Sequence, residues 1–183
     1  MDVGELQFQE IYDTFQPKVL RYLVRLVGEH DAEDLTQEVF VKIGLRLKTF
    51  RGEAQLSTWV YRVATNTALD RLRSASYQQE SRTDSLDDSD DTACEDIRPA
   101  EEVFSLEQQL MRQEMRQCFG RFVRELPANY RTVVVLSELE EKTNKEIAEI
   151  LHLKLDTVKI RLHRGRSRLL QELKTHCTAE EWL

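Results

Sequence analysis

The chain is short of the residues that make turns. Six glycines and three prolines in 183 positions leave little with which to build the corners of an all-β fold, and favour helices. Long apolar runs are missing too: no stretch approaches the roughly 20 residues needed to cross a bilayer. The opening MDVGELQFQE lacks the basic-then-apolar order of an export signal, so a cytoplasmic protein without membrane insertion is expected. Cysteine is scarce. Cys94, Cys118 and Cys177 imply no disulfide framework and should stay reduced in that compartment. Glycine-rich phosphate loops, nucleophile elbows and zinc-type ligand spacings are all absent, which argues against an enzyme and against a cofactor.

Positive charge is in deficit overall, with a net −7 and a pI near 5.2, but the deficit is local. Residues 76–103 hold ten acidic and two basic residues, a net −8, whereas 1–75 carry −1 and 104–183 carry +2. The acidic stretch includes SRTDSLDDSDDTACEDIRPAEE. It has few apolar residues and no helical period, so burial cannot offset its ordering entropy and it reads as a flexible linker. The expected organisation is a helical domain over 1–75, a linker over 76–103 and a second helical domain over 104–183.

Both flanking segments carry a helical period. Leu6, Ile11, Phe15, Val19, Leu23 and Leu26 mark a first helix. A second follows with Asp31 as its expected N-cap, and a third with Ser57 or Thr58 as its cap. In the second half a helix is expected near 104–125, and Pro127 opens another, since proline is tolerated in a first turn. The β-branched run Val133–Val135 admits a strand, but helices flank it closely and no partner strand is visible. Thr143 and Glu146 form an S/T-x-x-E capping box. HLKLD is a turn, and Asp156 is the expected cap of the last helix.

That last helix answers a puzzle of charge: an acidic protein ends in a helix whose outward positions are basic. At 100° per residue, Val158, Leu162, Gly165 and Leu169 form a core stripe. Lys159, Ile160, His163, Arg164 and Ser167 face away, and Arg161, Arg166 and Arg168 lie on the flanks. A capped helix, a tight turn and a second helix of this kind is the helix-turn-helix pattern, whose second helix enters the major groove. Basic side chains there bond phosphates or guanine edges, and Ile160 suits a thymine methyl. The plainer alternative is a solvated basic face. Cap, spacing and one-sided charge together favour DNA.

With these residues in view, ELPANYRTVVVLSELEEKTNKEIAEILHLKLDTVKIRLHRGRSRL resembles region 4 of bacterial sigma factors. DAEDLTQEVFVKIGLRLKTFRGEAQLSTWVYRVATNTALDRLR resembles their region 2. Two such domains on a short linker are the layout of the extracytoplasmic-function (ECF, group 4) sigma factors. The cysteine near the start of region 4 and the His176–Cys177 tail are similar to a sigma-Z type branch. The resemblance implies an all-α protein of two small helical domains that binds core RNA polymerase, through the β′ clamp helices and the β subunit, and recognises the −35 and −10 promoter elements. It also implies an anti-sigma factor as a partner, and no catalysis by the chain itself.

Carried onto this sequence, the resemblance assigns −35 DNA to Thr157, Lys159, Ile160, Arg161, His163, Arg164, Ser167 and Arg168. His152 stands where a glycine often ends the first helix of the motif, and Ile160 where a small polar residue is common. On the second helix, Ala32, Leu35, Val39, Phe40, Ile43 and Leu47 should be buried. Asp34, Gln37, Glu38, Val41 and Leu45 should face out, an acidic and apolar mixture that suits a protein partner better than DNA. The matching family helix binds the clamp helices. On the third helix, Val60, Val63, Ala64, Thr67, Ala68 and Arg71 should lie inward. Its other side and the preceding loop offer Phe50, Arg51, Trp59, Arg62, Asn66 and Arg73 to the −10 strand, where flipped bases are held by stacking and hydrogen bonds. Trp59 is equally intelligible as a core aromatic.

Three alternatives stand beside this reading. A sigma-like decoy binding an anti-sigma factor would be expected to lose the basic groove face. A helix-turn-helix regulator with a sensor domain would not need the acidic–apolar helix or the −10 face. Last, Cys94, Cys118, His176 and Cys177 would make a soft-metal set if they converged, or a redox-responsive thiol group. Their spacing matches no recognised zinc pattern, and inert thiols are the simpler expectation, so no metal is assigned.

Overall fold

Helix α1 (Val3–Val27) and helix α2 (Glu29–Arg46) are joined by a single residue, Gly28, in this computed structural model, which describes residues 3–47, 50, 55–80 and 119–176. So short a joint forces the backbone into a conformation with φ 90°, open to glycine and strained for other residues. Gly28, not Asp31, is therefore the N-cap of α2; Asp31 sits in its first turn, where a carboxylate still complements the helix dipole. Helix α3 (Leu56–Glu80) begins one residue before the expected Ser57 cap and continues to Glu80, five residues into the stretch read as linker.

The second half opens with α4, described over 119–125. Pro127 is then the N-cap of α5 (Ala128–Val134), as its missing N–H allows. The β-branched run is helical, but from Val135 to Leu139 the helix widens into a π turn, with Glu140 N–H donating to the Val135 carbonyl at 3.1 Å. Helix α6 (Asn144–Leu151) carries the expected capping box. Thr143 Oγ1 accepts from the Glu146 N–H at 3.3 Å, and Glu146 Oε2 accepts from the Thr143 N–H at 2.9 Å. Helix α7 (Leu155–His176) starts at Leu155, so Asp156 lies in the first turn rather than at the cap. No strand occurs among the described residues, and none of their helices is long and apolar enough to cross a membrane.

The buried residues form one cluster that runs through both halves. In the first, Tyr22, Leu23 and Leu26 of α1 meet Leu35, Val39 and Ile43 of α2 and Val60, Ala64 and Ala68 of α3. Tyr22 is fully enclosed, and its hydroxyl shares a 2.7 Å hydrogen bond with Thr65 Oγ1. Burial holds that phenol neutral, far above the ordinary tyrosine range. In the second half, Val133–Leu136 pack with Ile147, Ile150, Val158 and Leu162. Here Gly165 lets α7 approach α5: a Cβ at that position would lie 2.7 Å from Val134 Cγ2.

The two joints predict opposite effects. Gly165→Ala must push α7 off a stiff valine, and is expected to lower stability by about 1–3 kcal/mol. His152, at the end of α6 where a glycine often stands in the resembled motif, takes a left-handed φ of 51°. His152→Gly is expected to raise stability by up to about 1 kcal/mol by removing that strain. Thermal unfolding of the two variants beside the parent chain checks both signs.

Candidate nucleic-acid interface

The turn from α6 to α7 fixes how the last helix is presented. His152 in its left-handed conformation closes α6, and the Leu153 N–H donates back to the Ala148 carbonyl at 3.0 Å. The stripe expected to face the core does so: Val158, Leu162, Gly165 and Leu169 are all buried. Lys159, Ile160, His163, Arg164, Ser167 and Arg168 are exposed, while Thr157 and Arg161 are half-buried. Ile160 is 52% exposed, so no packing among the described residues accounts for an apolar side chain at that place.

Not every cation on α7 is equally available. Arg166 is drawn to its own domain, where Nε and a terminal nitrogen donate to Glu138 Oε1 at 2.9 and 2.5 Å. The Arg168 guanidinium lies over the Tyr130 ring, 5.0 Å from its centroid, a cation–π contact. Lys159 makes a loose 3.8 Å contact with the exposed Asp156. Between Asn144 at the start of α6 and Lys159, His163, Arg166 and Ser167 on α7 runs a groove of about 370 Å³. Asn144 was not among the expected contacts. The capping box beside it was the signal, because it marks a helix start, whose dipole favours an anion.

On α2 the expected division holds. Ala32, Leu35, Val39, Phe40 and Ile43 are buried and Leu47 is half-buried, while Asp34, Gln37, Glu38, Val41 and Leu45 are all exposed. Val41 and Leu45 are 61% and 78% exposed, two aliphatics side by side on a helix turn within an acidic face.

Helix α3 departs from expectation at one inward position. Val60, Val63, Ala64, Thr67 and Ala68 are buried, but Arg71 is exposed and pairs with Asp31 at 2.8 Å. The pair draws the Arg71 guanidinium pKa upward. The helix has by then run past the neighbours that bury its earlier turns. On the opposite side Asn66 and Arg73 are exposed and Arg62 is half-buried, with its Nε enclosed and unpartnered. Trp59 is half-buried against the core, and its ring lies 5.0 Å from that of Phe50. Arg51 lies outside the described residues, as do Cys94, Cys118 and Cys177. Among the described residues no group of three or more His, Cys, Asp or Glu could hold a metal.

A polar hollow of about 270 Å³ lies between α2 and α3, lined by Lys42, Arg46, Asn66, Thr67, Asp70 and Arg73 among others. It joins Lys42 and Arg46 to the expected −10 residues Asn66 and Arg73. Lys42 donates to Thr67 Oγ1 at 3.1 Å and pairs with Glu38 at 2.6 Å. The signal for these two was a basic i, i+4 pair on a helix otherwise acidic and apolar outside.

Residues 11–77 match the family described as Sigma-70 region 2, and residues 116–169 match Sigma-70, region 4. The chain is 34% identical over 173 residues to the ECF RNA polymerase sigma factor SigW of Bacillus subtilis strain 168, covering 91% of this chain and 89% of that protein. It is 30% identical over 168 residues to the ECF RNA polymerase sigma-E factor of Haemophilus influenzae, covering 91% and 87%. Among solved structures, the sigma factor RpoE in complex with the anti-sigma factor NepR from Bartonella quintana is similar in fold. Its TM-score is 0.71 at 22% identity, over 93% of this chain and 98% of that one. CnrH in complex with the cytosolic domain of CnrY gives a TM-score of 0.63 at 19% identity, over 94% and 90%.

The presentation of α7 rests on the α6 cap. Two hydrogen bonds from Thr143 hold the Glu146 carboxyl below its usual range. A depressed carboxylate pKa contributes stability that is present above the unfolded value and lost as pH falls through the folded one. Thr143→Ala is expected to lower stability at neutral pH by about 1 kcal/mol and to make the loss on acidification below about pH 4.5 shallower. Denaturant unfolding of both proteins at neutral and acid pH measures this; equal pH slopes would show that the cap carries no linkage.

Proposed function

Since the chain belongs to the ECF RNA polymerase sigma factors, we propose that it binds core RNA polymerase through the exposed face of α2 and directs initiation by reading −35 DNA with α7 and −10 DNA with α3 and the segment before it. The carrying observation is Ile160, held out in the open beside Lys159, His163 and Arg164, directly opposite a buried stripe. A solvated basic face has no use for an exposed isoleucine, whereas a thymine methyl does. Lys159, Arg161 and Arg164 supply phosphate or guanine contacts. Arg166 and Arg168 act first within their own domain, and Arg168 adds charge at the edge of the groove.

On the other half, Asp34, Gln37 and Glu38 surround Val41 and Leu45, the pattern of a protein contact with an apolar centre and a polar rim. We assign this face to the polymerase clamp helices. Phe50, Arg51, Trp59, Arg62, Asn66 and Arg73 are assigned to the −10 strand, with Lys42 and Arg46 added from the adjoining hollow. Turning Arg62 outward to a phosphate would give its enclosed Nε a partner. The reading places the protein in the cytoplasm and gives it no catalytic step. RpoE was solved with the anti-sigma factor NepR, which supports such a partner here. Cys118 with His176 and Cys177 supports the finer sigma-Z type placement.

The test is reconstituted transcription. Added to core polymerase, the full chain is expected to start transcription at a promoter that core alone ignores. Lys159→Ala and Arg164→Ala should each weaken −35 binding, by about 1–3 kcal/mol at one base pair where the contact is bidentate. Asp34→Arg combined with Gln37→Ala should impair polymerase binding and leave binding to an isolated −35 duplex intact. A chain that binds an anti-sigma factor but starts no transcript would instead be a decoy.

A further inference from the structure

One carboxylate is at odds with the use proposed for α3. The outward strip of that helix carries Arg62, Asn66 and Arg73, and between the last two stands Asp70, exposed like them. A strip that meets the phosphates of a strand gains nothing from an anion, which repels every phosphate near it. The fold has little use for it either. Asp70 contacts Arg73, one turn on, at 3.5 Å, and the two side chains are 70% and 78% exposed. So open a pair contributes little to stability. Two other carboxylates of this half are held much closer, Asp31 by Arg71 at 2.8 Å and Glu38 by Lys42 at 2.6 Å.

Asp70 lines the polar hollow of about 270 Å³ between α2 and α3. Asn66 and Arg73 line it from the same helix, and Lys42 and Arg46 from the other. Lys42 is steadied there by its 3.1 Å bond to Thr67 Oγ1. The hollow therefore offers two kinds of partner side by side: cationic donors from Lys42, Arg46 and Arg73, and a charged acceptor from Asp70.

A phosphate needs only the first kind of partner. The edge of an unstacked base needs both when it carries an amine beside a carbonyl. Cytosine and guanine have such edges. Thymine has no amine to give the carboxylate, and adenine has an amine but no carbonyl for the cations.

We propose that Asp70 is a specificity-determining residue of the −10 contact: its carboxylate accepts from the exocyclic amine of a cytosine or guanine seated in the hollow, while the surrounding cations meet the carbonyl of the same base. The inference rests on the assignment of α3 to the −10 strand and deepens it. A base without an amine leaves the carboxylate facing acceptors and phosphate alone. It is then rejected by repulsion as well as by a missing bond. Asp70 thus gives up general affinity for discrimination at one position, the reverse of what Arg73 does beside it.

The experiment uses the full chain with core polymerase on a promoter that the complex transcribes. The −10 segment is held open by a mismatched template strand, so that base changes in the other strand leave pairing unaltered. Each −10 position of that strand carries each of the four bases in turn, and transcript is measured for the parent, Asp70→Ala and Arg73→Ala. Asp70 is exposed, so its variant should stay folded; helical circular dichroism checks this. The parent is expected to favour cytosine or guanine at one −10 position by about tenfold. Replacing that base by its analogue without the amine, deoxyuridine for cytosine or deoxyinosine for guanine, should cost the parent a similar factor. The analogue that does so tells the two bases apart. In Asp70→Ala the loss should nearly vanish, with preferences at other positions kept. A parent that favours adenine or thymine throughout, a variant that keeps the parent's preference, or a uniform fall across all bases would overturn the role of Asp70. A fall in transcript with Arg73→Ala beside an unchanged Asp70→Ala would confine that failure to Asp70. Full transcription by Arg73→Ala with no −10 base preferred would overturn the assignment of the strip to the −10 strand as well.

Discussion

Helix α3 is buried around most of its circumference, and the rest of the molecule is arranged to suit it. Between Thr58 and Ala68, Thr58, Val60, Tyr61, Val63, Ala64, Thr65, Thr67 and Ala68 are all buried. A helix enclosed on so many sides can carry only small or apolar side chains there. Its polar members are threonines, and Thr65 and Thr67 return their hydroxyls to the carbonyls of Tyr61 and Val63, at 2.6 and 3.0 Å. Their polar demand is met within the helix. The small side chains let α1, α2 and α6 close in. What remains is one outward strip, Trp59, Arg62, Asn66, Asp70 and Arg73, the side of the helix we propose for the −10 strand.

The same economy of surface explains the second half. Helix α7 has to bury one stripe deeply enough to fix its direction while leaving the opposite face untouched. Gly165 makes this possible by removing the side chain at the point of closest approach to α5. The cations nearest that contact, Arg166 and Arg168, are drawn into holding α7 against Glu138 and Tyr130. Those further round the helix are left for an anionic partner. Charge on this helix is thus divided between cations that hold it in place and cations left exposed, which a count of basic residues cannot reveal.

Much of this was legible in the sequence because it depends on local periodicity. The inward and outward residues of α2 and α7 follow from their spacing alone, and the Thr143–Glu146 box is a four-residue pattern. Arg71 was misplaced because a helical wheel cannot say where a helix outruns its neighbours. The cap of α2 was misplaced because Asp31 is the better capping residue in isolation, whereas the one-residue joint to α1 demands Gly28. The π turn and the contacts of Glu140 left no trace in the sequence. Glu140 meets Tyr61 and Arg25 across 79 and 115 residues of chain, and no local pattern encodes such a pairing.

The central claim is that one chain carries two separate promoter-facing surfaces, the outward strip of α3 and the outward face of α7. Site-specific photo-crosslinking tests it most directly. A photoreactive amino acid is placed at Asn66 or at Ile160 in the full chain, which is assembled with core polymerase on promoter DNA, and the crosslinked bases are mapped. The account predicts crosslinks from position 66 within the −10 element and from position 160 within the −35 element, in the same complex. Crosslinks from both positions to one element, or from neither position in a transcribing complex, would contradict it.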